Sequence, residues 1–442
     1  MKTPQSTRPG LDRRSFINAM LAACAAPMVL PSRVFGANGQ TRPSNKITVG
    51  VLGVGAQGFN DLRNFLGKDD VRVTALCDVN RRNVERARTQ IAEDYGSADV
   101  RVYDDFRELN ADPSIDAVLM ALPVHWHSIA ALDVIRNGKH IFHEKPMALS
   151  FEDGVLVRKA VQKKGVVFQF GTQQRSDLKF RWACELARNG RLGKLHEIKV
   201  WVYPGREGDV LPPQPMPDYV DWNRWVGPAP QSSFHELKLD RRNHENITAF
   251  SLGMIQCWGV HHLDIAQWGN ATDETGPRTI EGKGVYPQKG DLDALMQWQV
   301  RFEYAKGAPV TFTSDRTEGS TNGVRFIGDS ASVYVTRGVL TASDEAILRD
   351  PQNKYDTMPI KLPVSTDHTR NFIDAIKAGK RAISDVDVAM RTDTMCQLAY
   401  IAVKEGRRLT WDPVGERFVN DPRASARLKS RPIRGEWKLP VV

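Results

Sequence analysis

Two short segments of the chain combine residue types that exchange protons with a hydroxyl group. Lys145 lies in the tetrapeptide His-Glu-Lys-Pro at residues 143–146, directly after a predicted strand, so its amine faces the sheet edge where ligands bind. His261 has a side chain suited to taking a proton from an alcohol, and Asp264 shares its helix face and can orient it. The pattern predicts acid–base chemistry; a surface lysine and a buried histidine remain the plainer alternatives.

The same histidine segment also resembles a set of metal ligands. His261, His262 and Asp264 are close in sequence, but a zinc site needs further ligands at short spacing, and no such group accompanies them. The five cysteines are scattered and form no CxxC pair. We therefore predict no metal site, and we expect the cysteines to be buried free thiols.

A glycine-rich turn follows the apolar run at residues 47–52 and has the spacing of a dinucleotide-binding fingerprint. Gly53 allows the tight turn, Gly55 lets a pyrophosphate approach the backbone, and Gly58 lets the next helix pack against the strand. The helix N-terminus then offers free N–H groups to the phosphates. The turn predicts a nucleotide cofactor.

An acidic residue ends the next predicted strand, at residues 71–77. Asp78 lies twenty positions after Gly58, where a carboxylate binds the ribose 2′-hydroxyl. Its charge would repel a 2′-phosphate, so we expect NAD. Arg81 and Arg82 follow closely and leave NADP open.

The elements that must position these residues alternate between strand and helix from residue 46 to about 170. This alternation predicts an α/β domain with a doubly wound parallel sheet, a Rossmann fold, over residues 46–170. Ligands bind beyond the carboxyl ends of such strands, and the loops at Gly53, Asp78, Pro123 and Glu144 all fall there.

The pattern changes after residue 170, where several segments alternate apolar and polar residues in the manner of half-buried strands. Residues 171–442 are therefore predicted to form an α+β domain with a largely antiparallel open sheet. Residues 204–230, rich in proline and tryptophan, are predicted to be irregular. Arg175 could reach a substrate, and Trp225 could stack on a sugar face, although structural roles are equally compatible with the sequence.

The first 45 residues are predicted to be a twin-arginine export signal and linker. Arg13 and Arg14 precede an apolar stretch at residues 19–30, which is too short to span a bilayer. We expect a periplasmic protein without a stable membrane span; a lipid on Cys24 is the alternative. The net charge of +9 falls partly in this segment, and the chain has no basic block with interleaved aromatics, so nucleic acid is not an expected partner.

Taken in order, the motifs resemble those of the glucose–fructose oxidoreductase, inositol dehydrogenase and MocA (Gfo/Idh/MocA) family. They are the glycine-rich turn, the turn from Pro123 to His127, Glu-Lys-Pro at residues 144–146, and Gly-Val-His-His-Leu-Asp at residues 259–264. The resemblance implies hydride transfer between a sugar or cyclitol hydroxyl and a tightly held NAD or NADP.

The resemblance also assigns roles to individual residues. The catalytic set is Lys145, His261 and Asp264. The cofactor-binding set is Gly53, Gly55, Gln57, Gly58, Asp78, Pro123, His127 and Glu144. The substrate-binding candidates are Arg175, His262 and Trp225.

Two positions depart from the family pattern. Cys257 stands where an aspartate often precedes the histidine by four residues, and Val124 stands where an asparagine often follows the proline. A thiol replaces a carboxylate only if its pKa is lowered, so His262 or a carboxylate elsewhere would have to compensate.

Three functions remain open at this point. The first is an exported dehydrogenase that acts on a small carbohydrate. The second is a glycoside hydrolase or lyase that uses bound NAD transiently, by oxidation, elimination and reduction. The third is a sensor without catalysis. By analogy we expect a homo-oligomer, a dimer or a tetramer.

Overall fold

The computed structural model describes residues 45–315 and 322–442. The predicted export signal, with Arg13, Arg14 and Cys24, lies outside the described residues. Residues 47–442 form one compact unit.

Within that unit, the first sheet consists of six parallel strands among the described residues, in the order β3-β2-β1-β4-β5-β6. The strands are β1 (Ile47–Leu52), β2 (Val71–Cys77), β3 (Arg101–Tyr103), β4 (Ala117–Met120), β5 (His140–His143) and β6 (Phe168–Phe170). The crossover helices are α1 (Ala56–Leu66), α2 (Arg81–Tyr95), α3 (Phe106–Ala111), α4 (His127–Arg136) and α5 (Phe151–Lys164). This strand order is that of a Rossmann fold, which confirms the predicted fold of the N-terminal part.

The order in which successive strands are added to the sheet reverses between β1 and β4, which are parallel, hydrogen-bonded neighbours. A crevice opens at such a switch point, beyond the carboxyl ends of the strands. Every residue of β4 is buried, as expected for a central strand that helices cover on both faces.

The second sheet contains nine strands in the part of the chain that the structure describes, in the order β13-β12-β11-β7-β10-β9-β8-β14-β15. Its members are β7 (Leu195–Trp201), β8 (Thr279–Val285), β9 (Gln297–Glu303), β10 (Val310–Thr313), β11 (Gly323–Gly328), β12 (Ser332–Thr336), β13 (Val339–Ala342), β14 (Leu409–Asp412) and β15 (Arg417–Phe418). Among the strand pairs described in this second sheet, only β7 and β10 are parallel. The predicted, largely antiparallel character of the sheet is therefore confirmed.

One face of this sheet is covered and the other meets solvent. In β9 the side chains of Trp298, Val300 and Phe302 are buried, whereas their neighbours Gln299 and Arg301 are exposed. The alternation follows from the two-residue period of a strand.

The remaining helices follow β6 in the chain. They are α6 (Leu178–Arg188), α7 (Trp222–Val226), α8 (Arg241–His244), α9 (Met254–Cys257), α10 (Gly259–Gly269), α11 (Ala346–Arg349), α12 (His368–Ala378), α13 (Val386–Glu405) and α14 (Pro422–Ala426). Single 3₁₀ turns occur at Val124–Trp126, Gln173–Ser176, Glu236–Leu239 and Pro351–Asn353. Helices α10 and α13 pack against each other and against the sheet, and every residue of α10 is buried.

Several sequence predictions agree closely with the structure. The bounds of β2 are as predicted, and the segment 204–230 contains only the short helix α7 among its residues. The structure adds β8, β13 and the final hairpin, which the alternation did not reveal. Cys77, Cys184, Cys257 and Cys396 are buried free thiols, as expected. Among the described residues, no helix has the length and apolar character needed to cross a membrane.

Candidate functional site

A cavity of about 660 Å³ lies at the switch point of the parallel sheet. This volume is in the range typical of small-molecule and cofactor sites. The predicted site residues in its wall are Gly53, Gly55, Gln57, Gly58, Asp78, Pro123, Glu144, Lys145 and Trp225. The structure therefore brings most of the predicted cofactor set together with the predicted catalytic lysine.

The three fingerprint glycines have different spatial requirements. Gly53 has φ of +79°, and a Cβ there would lie 2.4 Å from the carbonyl oxygen of Ala121. A Cβ on Gly58 would lie 2.0 Å from the carbonyl oxygen of Gly53. A Cβ on Gly55 would meet no atom within 4 Å, so the space in front of Gly55 is open. A bound pyrophosphate needs these three features: a tight turn, close packing of the helix on the strand, and open space in front of the backbone.

The open space in front of Gly55 also favours an anion electrostatically. Helix α1 begins at Ala56, and its N-cap residue Gly55 supplies no side-chain acceptor. The first N–H groups of α1 are therefore available to a phosphate, and the helix dipole favours negative charge there.

Asp78 is placed to accept hydrogen bonds from a ribose and is already anchored by the protein. Its Oδ2 accepts from the Val54 backbone N–H at 2.8 Å and from Asn83 Nδ2 at 3.2 Å, and its Oδ1 accepts from the Asn80 N–H at 2.8 Å. Burial raises the pKa of Asp78, while these three donors oppose that rise. A carboxylate has about four acceptor sites, so one on Oδ1 remains for a hydroxyl.

Arg81 and Arg82, which made NADP a possible cofactor, contact other parts of the protein. The Arg81 guanidinium donates to the carbonyl oxygen of Asp218, and that of Arg82 lies 3.5 Å from the ring centre of Tyr219. Neither is part of the described cavity wall.

Glu144 forms a buried polar network beneath the glycine-rich turn. Its Oε1 accepts from Gln173 Nε2 at 2.7 Å and from Gln57 Nε2 at 3.4 Å, and its Oε2 accepts from the backbone N–H of Lys145 at 3.1 Å. Gln57 also donates to Asp61 at 3.1 Å. Burial is the main cause that raises the pKa of both Glu144 and Asp61. This network connects the nucleotide turn to the segment that carries Lys145.

Lys145 lines the cavity and forms an ion pair with Glu245, a residue that the sequence analysis did not single out. Its Nζ lies 3.4 Å from Glu245 Oε1, and the two side chains are only 8% and 9% exposed. Glu245 follows helix α8, and Arg241 Nε lies 3.9 Å from the same oxygen. Both Glu245 and Arg241 line the cavity. No local pattern could have marked Glu245, because its partner is 100 positions away.

His261 is buried beside this end of the cavity and outside its described wall. Its ring centre is 5.5 Å from that of Trp258, and its Nδ1 has no hydrogen-bond partner among the described residues. Burial is the main cause that lowers the pKa of His261, and the charges of Arg337 and Lys145 act in the same direction. The imidazole is neutral at neutral pH and is able to accept a proton.

Two predicted site residues instead bind each other in the core. Arg175 Nε and Nη2 donate to the Asp264 carboxylate, at distances from 2.7 to 3.0 Å. Thr392 Oγ1 also donates to Asp264, at 3.0 Å. The prediction that Asp264 orients His261 is therefore corrected: its acceptor sites face Arg175 and Thr392. Arg175, held in this pair, belongs to the wall of a different cavity, near Trp268.

Two predicted histidines also have protein partners in place of a ligand. His262 Nε2 is 2.8 Å from Asn322 Oδ1, and burial lowers the pKa of His262 to about 3. His127 has Nε2 at 2.8 Å from the Leu122 carbonyl oxygen and Nδ1 at 2.5 Å from that of Pro146. His127 is fully buried, so it positions the two loops that bear Pro123 and Lys145 and does not contact the cavity.

Trp225 lines the cavity, but an aromatic neighbour already covers one face of its ring. It stacks on Trp222 with ring centres 4.6 Å apart and an interplanar angle of 11°. Phe250 meets it edge to face at 5.0 Å. Sugar stacking on the covered face is excluded.

The C-terminal segment completes the wall near the end of β3. Trp437 lines the cavity and packs edge to face on Trp126, with ring centres 4.7 Å apart, and beside Phe106 at 6.3 Å. Arg434 fastens this segment by donating to the carbonyl oxygens of Gly227 and Ala229, each at 3.1 Å. The polar composition of residues 413–442 gave no signal for this role.

Comparison with known proteins identifies related chains. Residues 47–172 match the family model GFO_IDH_MocA, described as "Oxidoreductase family, NAD-binding Rossmann fold". Residues 196–439 match GFO_IDH_MocA_C2, described as "Oxidoreductase family, C-terminal alpha/beta domain".

Individual relatives are more distant. The chain is 23% identical to scyllo-inositol 2-dehydrogenase (NAD(+)) of Bacillus subtilis (strain 168) over 360 residues, which is 79% of this chain and 92% of that protein. It is 34% identical to a glycosyl hydrolase family 109 protein of Shewanella sp. (strain W3-18-1) over 110 residues, only 24% of each chain. The crystal structure of scyllo-inositol dehydrogenase from Lactobacillus casei with bound NAD(H) and scyllo-inositol has a TM-score of 0.59 at 16% identity, covering 83% of this chain and 99% of that one.

Proposed function

The chain belongs to the GFO_IDH_MocA oxidoreductase family, and from that premise we propose that it transfers hydride between a sugar or cyclitol hydroxyl and a retained NAD. The observation that carries the proposal is one cavity whose wall contains both the glycine-rich turn and Lys145. The inositol dehydrogenases among its relatives support this substrate class.

The residues present fit the cofactor. The open space at Gly55 and the free N–H groups of α1 suit the pyrophosphate, and the remaining acceptor site of Asp78 suits a ribose hydroxyl. The occupied guanidinium groups of Arg81 and Arg82 favour NAD over NADP. When bound, NAD supplies the hydride acceptor.

The chain's own residues supply the acid–base chemistry at the substrate hydroxyl. Lys145 has N–H groups that can donate to the oxygen of a substrate hydroxyl. His261 is neutral because burial lowers its pKa, so a ring nitrogen can accept the hydroxyl proton, and the same burial makes the ring a weaker base than a free imidazole. The Glu144 network holds the backbone of Lys145 beside the nucleotide turn.

A second function has a specific observation in its favour. Family 109 glycosyl hydrolases are among the relatives, and this chain has Cys257 where an aspartate is frequent. The alternative is cleavage of a glycoside by transient oxidation, elimination and reduction with no net change of the cofactor. The match covers only 24% of each chain, so the dehydrogenase is the better supported proposal.

Export and assembly are further parts of the proposal. The twin-arginine pattern at Arg13 and Arg14 supports delivery to the periplasm, where a retained cofactor would need to be re-oxidised or re-reduced by a second substrate. A homo-oligomer is proposed by analogy alone, and the exposed face of the second sheet, with Gln299 and Arg301, is the surface on which it would form. Light scattering of the purified protein measures the assembly, and fractionation of cells measures the location.

One experiment tests the main proposal. Purified protein is denatured and its supernatant is examined by mass spectrometry for NAD(H). Native protein is then incubated with a panel of cyclitols, sugars and glycosides while nicotinamide absorbance and products are followed together. Substrate-dependent reduction of bound NAD supports the dehydrogenase, whereas cleaved glycoside with unchanged cofactor supports the alternative. Protein that contains no dinucleotide and binds none on titration contradicts both.

A further inference from the structure

We propose that Glu245 is the carboxylate that positions Lys145 in this site, in place of the aspartate that the helix segment before His261 lacks. The proposal rests on the proposed function, because it concerns the same hydroxyl-binding end of the cavity. It assigns a role to a residue that the family motifs do not include.

The two side chains meet from distant parts of the chain. Lys145 follows β5 in the first sheet, and Glu245 follows α8, a short helix after the irregular segment. Their charged atoms are 3.4 Å apart, and both side chains are more than nine-tenths buried while still lining the cavity. The pair is thus held at the point where a substrate hydroxyl would enter.

Cys257 does not supply the missing negative charge. It is fully buried, and its Sγ lies 3.2 Å from Ser251 Oγ. Burial raises the pKa of Cys257 to about 12, and the negative charge of Glu245 adds to that rise. The thiol is therefore neutral over the working range of the protein, although it lies close enough to Glu245 and Lys145 to sense both charges.

The surrounding groups make a carboxylate at this point necessary. The positive charges of Arg241 and Arg337 both act on His261, together with that of Lys145. Glu144 is the other nearby acid, but its oxygens accept from Gln57, Gln173 and the backbone of Lys145. A buried ammonium without a paired anion would be strongly disfavoured. Glu245 is the acid whose oxygen faces the Lys145 ammonium.

Glu245 acts through Lys145 and is therefore a positioning residue. The contact with Glu245 fixes the direction of the amine, so that an Nζ–H group points at the substrate oxygen. Other titratable groups also sense the charges of this pair. Burial lowers the pKa of His127, His244 and His261, and it raises the pKa of Asp61 and Cys257. Loss of the Glu245 charge should therefore change the protonation of Lys145 directly.

The test uses the holoenzyme and a readout that does not depend on turnover. Acetic anhydride acylates only the unprotonated amine, and peptide mass spectrometry measures the rate at Lys145 as a function of pH. In Glu245→Gln we expect labelling to become about tenfold faster at a given pH, because an opposite charge at this distance favours the ammonium form. Glu281→Gln is the control, since it removes an exposed carboxylate on β8, and it should label like the wild type.

A double variant supplies the carboxylate from position 257 in place of position 245. In Glu245→Gln with Cys257→Asp, labelling of Lys145 should slow again toward the wild-type rate, and kcat should recover at least partly. NAD content and thermal unfolding are measured in each variant to confirm that fold and cofactor are retained. If Glu245→Gln does not fold, Glu245→Asp replaces it, and a smaller increase in labelling is expected because the carboxylate is drawn back.

The outcomes separate the two proposals. An unchanged labelling rate in Glu245→Gln or Glu245→Asp overturns the role of Glu245, and so does a double variant that labels as fast as the single one. Labelling that follows the expected order in a protein without sugar-dependent redox activity retains the Lys145–Glu245 pairing and contradicts the proposed function.

Discussion

Arg175 and Asp264 form a buried bidentate ion pair, with Arg175 Nη2 2.7 Å from Asp264 Oδ1 and the side chains 4% and 0% exposed. The pair joins the 3₁₀ turn after β6 to helix α10, which also carries His261. Arg175, predicted to reach a substrate, and Asp264, predicted to orient His261, are thus part of the scaffold that holds helix α10.

Breaking this pair should destabilise the fold strongly. Asp264→Asn leaves the buried Arg175 guanidinium with only the distant Asp273 carboxylate, at 3.8 Å, and we expect the free energy of unfolding to fall by about 3 kcal/mol. Urea denaturation measures the change. Asp209→Asn is the control, because its ion pair with Arg206 is half exposed and should contribute about 1 kcal/mol or less. Equal effects of the two substitutions would contradict this account.

The glycine-rich turn allows a sharp test of cofactor binding. Gly55→Ala adds a methyl group into open space, so the protein should keep its stability but lose NAD, because the methyl occupies the place of the pyrophosphate. Gly58→Ala should lose stability as well, since its Cβ would lie 2.0 Å from the Gly53 carbonyl oxygen. Thermal unfolding and NAD content of the purified variants distinguish the two effects. Retention of NAD by Gly55→Ala would place the pyrophosphate elsewhere.

Lys145 and His261 should contribute to turnover without being needed for NAD binding. We expect Lys145→Met and His261→Asn each to lower kcat by about 10²–10⁴-fold, the usual contribution of a general acid or base. NAD content should remain as in the wild type. Steady-state kinetics on the substrate found in the panel measures the loss, and a variant with full turnover would remove that residue from the mechanism.

Buried neutral histidines should make the fold sensitive to acid. Burial lowers the pKa of His262 to about 3 and that of His368 to about 4, below the value of about 6.5 in an unfolded chain. The unfolded state therefore binds more protons between these values. The stability is complete above about pH 6.5 and is lost as the pH falls toward the folded-state pKa values.

Urea denaturation between pH 7 and pH 4 checks this dependence. Removing one titrating group, as in His368→Gln, should make the decline of the unfolding free energy with falling pH less steep, even if the variant is less stable at pH 7. A decline as steep as that of the wild type would assign the acid sensitivity to other groups.

Trp437 should slow the release of the cofactor. Its ring packs on Trp126 and closes the cavity near Phe106, and Trp437→Ala should speed NAD dissociation by about tenfold, the equivalent of one aromatic contact. Displacement of NAD by a fluorescent analogue measures the rate. Trp437→Phe keeps an aromatic ring and should lie close to the wild type; equal release from the alanine variant and the wild type would exclude the role.

The sequence predicted best what depends on short-range spacing. The roles of Gly53, Gly58 and the strand end at Asp78 follow from local geometry, and the parallel sheet of the N-terminal part follows from the alternation of strands and helices. Spacing also put His261 and Asp264 on one helix face, but it could not tell what packs there. Arg175, 89 positions before Asp264, takes that carboxylate.

Residues that meet from distant segments gave no signal in the sequence. Glu245 pairs with Lys145 across 100 positions, in a stretch without a recognised motif. His127 has the sequence context of a ligand, yet its ring is enclosed because two loop carbonyls approach it. The roles of such residues become visible only when the packing of the whole chain is known.

The cavity wall extends from Gly53 to Trp437, close to both ends of the described fold. During synthesis, the nascent chain presents the nucleotide turn early, but the tryptophan that closes the cavity leaves the ribosome among the last residues. The emerging protein therefore has an open, exchangeable cofactor site until translation is complete. In the proposed function, the final enclosure of NAD is therefore a post-translational step.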